Sequence, residues 1–132
     1  MATFTWTADL STGNTMIDQD HKHLIDLVNK LNDAMLTGKG NTVLGSVFDE
    51  LIRYTASHFG REERLMSQIN YAEAATHKAE HEKLVTEVTV LRRNFQAGSV
   101  VLSSKVYLFL TDWLNRHIKS SDKKLALAAT KA

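Results

Sequence analysis

The segment HKAEHEKLVTEVTVLRRNF, residues 77–95, carries its apolar side chains and two histidines at intervals of three and four residues. Positions 77, 81, 84, 88, 91 and 95 share one face of an α-helix, and this spacing predicts a helix packed against a core. His77 and His81 occupy the same face, because four residues leave side chains only about 40° apart and about 6 Å along the axis.

Three further stripes with the same period occupy positions 17–35, 44–69 and 106–117. The four stripes predict helices over 17–37, 42–69, 73–97 and 100–122, an N-terminal arm over 1–16 and a tail over 126–132. Asp18 and Thr42 are the candidate caps of the first two helices. Turns are expected near Gly40, Asn70 and Ser99, and the absence of proline favours unbroken helices.

The turns between these helices are short, so consecutive helices are expected to run antiparallel. The sequence therefore predicts an all-α fold, an up-down-up-down four-helix bundle with an N-terminal arm that holds Phe4 and Trp6. A length of 132 residues without a linker predicts one domain over residues 1–132.

Composition excludes several classes of protein. The net charge of +1 gives no bulk attraction to nucleic acid. The chain has no cysteine, which removes disulfides, thiolate zinc sites and iron–sulfur clusters. The sequence predicts neither a signal peptide nor a membrane span, since no stretch approaches the roughly 20 apolar residues that a span needs. We expect a cytoplasmic monomer.

Polar side chains interrupt all four apolar stripes. They are His21 on the first, His58 and Glu62 on the second, His77 and His81 on the third, and His117 on the fourth. Each would cost roughly 1–3 kcal/mol to bury without a partner. One lone histidine is usually a hydrogen-bonded core residue, but a shared metal centre would satisfy all of these side chains at once.

The numbering places these residues at one height in the bundle. In an antiparallel hairpin, residues equidistant from the turn lie side by side. The midpoint between the candidate on the first helix and the pair on the second falls at Gly40–Asn41. The midpoint between the pairs on the second and third helices falls at Ile69–Asn70, and that between the third-helix pair and residues 117–122 falls at Ser99. All three coincide with the predicted turns, so the candidates, and Asp122 with them, converge on one level.

Asp122 needs a special backbone to join this cluster. It follows His117 by five residues, which corresponds to about 140° on a regular helix and points the two side chains to different faces. The alternative is a solvated charge beside Lys123. If Asp122 is a ligand, the helix should contain a π-type bulge near Ser120–Ser121. His23, Glu63 and Glu80 neighbour the candidates but lie on other helix faces, and we expect them to be surface residues.

Five imidazoles and two carboxylates are too many ligands for one ion and suit a pair of first-row metal ions, with iron favoured over calcium or magnesium. With both carboxylates and a water-derived oxygen bridging two octahedral ions, one coordination position stays open. Oxygen-activating di-iron bundles use Glu-x-x-His pairs, which this sequence lacks. Reversible oxygen binding therefore fits the ligand set better than oxygen activation.

These motifs resemble the hemerythrin family, specifically its bacteriohemerythrin branch. The motifs that carry the resemblance are Phe4-x-Trp6, IDQDHKHL from Ile17, HFGREERLM from His58, HKAEH from His77 and HIKSSD from His117. The resemblance implies two iron ions with an oxo or hydroxo bridge, one held by His77, His81 and His117. It implies that His21 and His58 hold the other ion, which has the open position, and that Glu62 and Asp122 bridge the pair.

The resemblance also implies a function, reversible dioxygen binding for carriage, storage or local delivery, without catalysis. An oxygen-consuming enzyme is the candidate recipient. Oxygen, redox or nitric-oxide sensing, iron storage and peroxide handling are the alternatives at the same site; the single domain without a signalling module favours carriage. The pattern His77-x-x-Glu80-His81 also matches a zinc peptidase, but that hypothesis leaves the other four histidine and glutamate candidates unexplained. A purely structural bundle is the remaining alternative.

Overall fold

Long helices account for most of the described chain, which comprises residues 4–38, 41–98 and 104–131 of the computed structural model. They are α1 (Thr15–Leu36), α2 (Asn41–Gln68), α3 (Ala74–Gln96), α4 (Ser104–His117) and α5 (Lys123–Lys131). A π-helical turn, Ile118–Asp122, joins α4 to α5, so these three segments form the fourth helix of the bundle. Helix α1 packs against α2 and α4, and α2 packs against α3. The predicted all-α, four-helix bundle is confirmed.

The N-terminal arm lies across α1 and α4. The Phe4 backbone N–H donates to Asn29 Oδ1 at 3.0 Å and to the Tyr107 hydroxyl at 2.7 Å. Asn29 Nδ2 donates in turn to the Phe4 carbonyl at 2.7 Å. Phe4 and Trp6 pack against the hydrophobic core, and a short 3₁₀ turn (Ala8–Leu10) buries Leu10. These contacts hold the arm against the bundle.

The first helix begins earlier than the sequence indicates. Asn14, rather than the predicted Asp18, caps α1, because its side chain accepts the Ile17 backbone N–H at 3.1 Å. Asp18 lies inside the helix and accepts from the Thr12 backbone N–H at 2.8 Å, which ties the arm to α1. Helix α2 begins at Asn41, so Thr42 also lies inside a helix and is not its cap.

The turn after α2 occurs where the sequence predicts it. Asn70 adopts a positive φ of 53°, a conformation that asparagine tolerates better than most residues. Tyr71 N–H donates to the Met66 carbonyl at 2.9 Å and Asn70 N–H to the Ser67 carbonyl at 3.3 Å, the Schellman pattern that ends a helix. The predicted turn at Ser99 and residues 100–103 of the predicted fourth helix lie outside the described residues.

The predicted π-type bulge is confirmed, because residues 118–122 form a π-helical turn that contains Ser120 and Ser121. The predicted tail over 126–132 is wrong for its described part, since α5 continues to Lys131. Leu125 and Ala126 are buried against Ile17 and Met66, and this packing stabilises a segment that small residues alone would leave frayed.

The candidate ligands form a polar layer between two apolar clusters. The larger cluster includes Leu24, Phe59 and Ile118, and the smaller one consists of Ile17, Met66, Leu125 and Ala126. Along their helices, His21, Glu62 and Asp122 each fall between a residue of the larger cluster and a residue of the smaller one. The polar layer is therefore closed off from solvent along the bundle axis.

Replacing Gly60 by alanine is expected to stabilise the protein by about 1 kcal/mol, the helix-propensity difference. An added Cβ would meet only the end of the Arg64 side chain, at 3.9 Å. The matched control is Gly38→Ala, which should destabilise because Gly38 has a φ of 68° after the end of α1. Urea unfolding midpoints measure both effects, and equal shifts of the same sign would contradict this account.

Candidate metal centre

The structure brings all seven sequence-predicted ligands together in the interior. None is more than 4% exposed: His21, His58, Glu62, His77, His81, His117 and Asp122. They come from all four helices of the bundle, and the π-helical turn places Asp122 on the same face as His117. The exposed His23 stays outside this cluster, as predicted.

Glu62 faces two groups of histidines with its two oxygens. Its Oε2 lies 3.0 Å from His58 Nε2 and 3.7 Å from His21 Nε2. Its Oε1 lies 3.0 Å from His81 Nε2 and 3.5 Å from His77 Nε2. One carboxylate thus reaches both sides of the cluster, as a carboxylate that bridges two metal ions must.

Asp122 divides its oxygens in the same manner. Oδ2 lies 2.7 Å from His21 Nε2, while Oδ1 lies 3.0 Å from His77 Nε2 and 3.1 Å from His117 Nε2. The two carboxylates therefore separate a pair of histidines, His21 and His58, from a group of three.

The group of three has the spacing of ligands around a single ion. His117 Nε2 lies 3.2 Å from both His77 Nε2 and His81 Nε2. Nitrogens bound at right angles to one ion at about 2.1 Å would lie about 3 Å apart. Two sets of atoms could each hold an ion: Glu62, His77, His81, His117 and Asp122 form one, and His21, His58, Glu62 and Asp122 form the other.

The donor set fits cations better than it fits a polar network. Among the described residues, both oxygens of Glu62 and of Asp122 lack a partner with hydrogen-bond geometry, as does Nε2 of His21. Burying such groups without compensation costs several kcal/mol. Positive ions between the carboxylates and the imidazoles would satisfy them together.

Comparison with known proteins supplies the family. The family model described as the hemerythrin HHE cation binding domain matches residues 12–129, nearly the whole chain. This chain belongs to the hemerythrin family. The family assignment made from the motifs is confirmed, and the buried cluster has the histidine and carboxylate groups that could hold the cations of such a domain.

Curated relatives and solved structures agree with the family model. The chain is 41% identical over 124 residues to the bacteriohemerythrin of Methylococcus capsulatus, covering 93% of this chain and 94% of the relative. It is 38% identical to the bacteriohemerythrin of Stenotrophomonas maltophilia, covering 96% and 81% of the two chains. The crystal structure of a wild-type hemerythrin superposes with a TM-score of 0.92 at 39% identity, covering 97% of this chain and 98% of that one.

An outer carboxylate that sequence reasoning missed supports His58 in this hemerythrin centre. Asp20 Oδ2 lies 2.9 Å from His58 Nδ1. Asp20 is itself buried and accepts from Arg61 Nε and Nη2, both at 2.8 Å, and from the Tyr54 hydroxyl at 2.7 Å. Such an outer partner fixes the ring so that Nε2 points at the metal position. The sequence clue to this role was that Asp20 directly precedes the candidate ligand His21.

The prediction that two glutamates beside the ligands are only surface charges is wrong. Glu63 and Glu80, expected to be solvated surface charges, contact the centre: Glu63 Oε2 lies 3.1 Å from His81 Nδ1 and Glu80 Oε1 lies 3.2 Å from His117 Nδ1. Both carboxylates remain partly exposed, so each links a ligand to the surface. A glutamate about 100° round its own helix can still reach a histidine on the neighbouring helix.

Aromatic rings shield two ligands from the side. Phe59 stacks on the His81 ring with centroids 3.7 Å apart, and Trp113 stacks on the His117 ring at 4.4 Å. The stacked rings and the outer carboxylates leave each imidazole little freedom to rotate, which favours a preformed metal-binding geometry.

Without metal, His58 and His77 hold protons strongly. Burial opposes protonation of His58, but the partners Asp20 and Glu62 outweigh it and raise its pKa to about 9. The pKa of His77 is likewise raised to about 9, because Asp122 and Glu62 outweigh burial. Burial alone would raise the pKa of Glu62, but its contacts with the histidines hold that pKa well below the ordinary value.

The metal-free protein is expected to lose stability as the pH rises from about 6.5 to about 9. In that range folded His58 and His77 keep protons that the unfolded chain, with a histidine pKa of 6.5, has released. Stability falls with pH wherever the folded state binds more protons. Urea midpoints of metal-free protein at pH 6, 7.5 and 9 test this, and a midpoint that rises with pH would contradict it.

A small apolar cavity adjoins one side of the centre. It has a volume of about 30 Å³, and His21, His58, His117 and Asp122 line it, whereas His77 and His81 do not. Its other walls are mostly aliphatic and aromatic side chains from all four helices, with Thr55 as a hydroxyl-bearing residue. The cavity is large enough for about two water-sized molecules.

No helix in the described residues is both long enough and apolar enough to cross a membrane.

Proposed function

We propose that this chain binds dioxygen reversibly at a non-haem di-iron centre. The proposed ligands of one iron are His77, His81 and His117, and those of the other are His21 and His58. Glu62 and Asp122, which belong to both sets of candidate ligands, would be shared by the two ions. The division of each carboxylate's two oxygens between the two histidine groups supports this assignment.

Iron is a metal that suits these donors and is the one proposed here. Imidazole and carboxylate ligands favour a first-row metal over calcium or magnesium, and the absence of cysteine argues against a thiolate zinc site. When bound, the iron pair supplies the electrons that hold dioxygen, and the protein supplies the ligands and the surroundings.

The apolar cavity is the observation that carries the proposal. It touches both His21 and His58, the group with only two histidines, where the proposed ligand set leaves a position open, and of the other group it touches His117 alone. Its apolar walls favour a small uncharged gas over water or anions. At about 30 Å³ it suits a diatomic gas better than a larger organic substrate, which supports oxygen binding over catalysis on a second molecule.

Carriage, storage or local delivery of oxygen follows from reversible binding in a small protein. An oxygen-consuming enzyme is the proposed recipient. The curated relatives are named as bacteriohemerythrins, and these names carry no enzymatic activity.

Absorption spectra through a deoxygenation cycle, combined with iron analysis, test the function. We expect two irons per chain and a visible charge-transfer band that appears with oxygen and disappears under vacuum over repeated cycles. Bleaching without recovery would contradict oxygen carriage and would favour redox sensing or an enzyme. Uptake of many irons per chain would favour iron storage.

A further inference from the structure

The buried ligands of the metal centre pose a problem of access, since metal ions must cross the protein wall to reach them. Cavities that touch residues of the cluster differ in their polarity, and three of them are candidate routes. The apolar cavity beside His58 suits an uncharged molecule, but a dication there would lose its hydration without a polar replacement.

The second cavity is an open groove between α3 and α4. Its lining combines Lys83 and Arg116 with Glu80, Glu87 and Asp112, and it includes Trp113, whose ring stacks on His117. The outward nitrogen of His117 already has Glu80 as a partner. This groove therefore presents no free donor atom of the cluster to an incoming ion.

The third cavity, here called the vestibule, lies between the start of α3 and the π-helical turn. It has a volume of about 50 Å³, and its walls include Tyr71, Glu73, His77, Glu80, Ser121 and Lys124. Two carboxylates against one ammonium group give it a negative balance that attracts cations.

A ligand of the metal centre meets this vestibule with an unused polar atom. His77 is 3% exposed, and its Nδ1 is buried without a hydrogen-bond partner among the described residues. His58, His81 and His117 each have an outer carboxylate at this nitrogen. Nδ1 of His21 also lacks a hydrogen-bond partner among the described residues, but His21 lines the apolar cavity, whereas His77 lines this polar one.

Glu80 connects the vestibule to the backbone that holds Asp122. Ser121 Oγ donates to both oxygens of Glu80, at 2.8 and 2.9 Å, and Ser121 belongs to the π-helical turn. A cation that engages Glu80 would compete with Ser121 for its oxygens. Competition at this contact would loosen the turn that positions Asp122.

We propose that the vestibule is the route by which divalent metal ions reach the buried centre, with Glu73 as the outer attracting group and Glu80 as the inner one. Lys124 opposes this attraction. The inference rests on the proposed two-metal centre and goes beyond it, because it concerns how the ions arrive and not what the loaded centre does.

The rate of metal uptake tests the route. Metal-free protein is mixed with Co²⁺ at low ionic strength, and the rise of the cobalt visible bands is followed with time. Glu73→Gln should slow uptake about two- to five-fold and Lys124→Gln should accelerate it by a similar factor. Both residues lie outside the ligand set, so the final cobalt content should stay at two per chain.

Glu82→Gln is the matched control. Glu82 is exposed on the same helix as His77 but does not line the vestibule, so its loss changes the net charge equally without changing uptake. Salt should remove the differences between the variants. Equal slowing by Glu73→Gln and Glu82→Gln, or no slowing by Glu73→Gln, would overturn the proposed route. Protein that takes up no second ion would overturn the two-metal centre itself.

Discussion

Replacing His58 by leucine is expected to abolish reversible oxygen binding and to lower the iron content from two per chain towards one. His58 is one of only two imidazoles in its group of candidate ligands, and it lines the apolar cavity. The fold should persist, because leucine has a similar volume and Asp20 keeps Arg61 and Tyr54 as partners. Iron analysis, oxygen-dependent spectra and helical circular dichroism measure the three effects.

His23→Leu is the control for this substitution. His23 lies two residues from His21 on the same helix, but it is exposed and packs on Tyr54 instead of facing the centre. Its loss should leave the iron content and the spectra unchanged. A His58→Leu protein that still binds oxygen reversibly would support a purely structural role for the histidine cluster.

Replacing Thr55 by leucine should weaken oxygen binding at least ten-fold while two irons remain bound. Thr55 lines the cavity one turn before His58, and a leucine side chain there would occupy much of its roughly 30 Å³. Overpacking typically costs about 1–3 kcal/mol, so the thermal midpoint should fall as well. Oxygen equilibrium curves on iron-loaded protein give the affinity.

Thr55→Val separates volume from polarity. Valine has nearly the shape of threonine and removes only the hydroxyl, which donates to the Leu51 carbonyl at 2.8 Å within the same helix. Oxygen affinity should stay close to that of the unaltered protein. If Thr55→Leu binds oxygen as well as Thr55→Val does, the cavity is not the ligand pocket.

The position of the metal centre could be predicted from the sequence because it depends on helix periodicity and turn positions. The midpoints at Gly40–Asn41, Asn70 and Ser99 placed the ligands at one height, and the structure brings them together there. The need for a π-type bulge before Asp122 also followed from helical geometry, and the turn at residues 118–122 confirms it.

The outer partners of the ligands could not be predicted in the same way. Whether Glu63 reaches His81, or Glu80 reaches His117, depends on the rotation of each helix about its own axis and on side-chain rotamers. A stripe pattern fixes which face points inward but not which flanking side chain crosses to a neighbouring helix. Asp20 was overlooked for this reason, although it adjoins His21 in sequence.

The helix at the C-terminus was missed because its stability comes from packing. In the sequence, residues 123–131 contain mainly polar and small side chains. In the structure, however, Leu125 is fully buried against Ile17 and Met66. Local propensity says little about a segment that a tertiary contact holds in place.

Diffraction from crystals of the iron-loaded protein at wavelengths above and below the iron absorption edge tests the central claim most directly. We predict two anomalous peaks, one beside His77, His81 and His117 and the other beside His21 and His58, with Glu62 and Asp122 contacting both. A single peak, or peaks away from these side chains, would contradict the proposed di-iron centre.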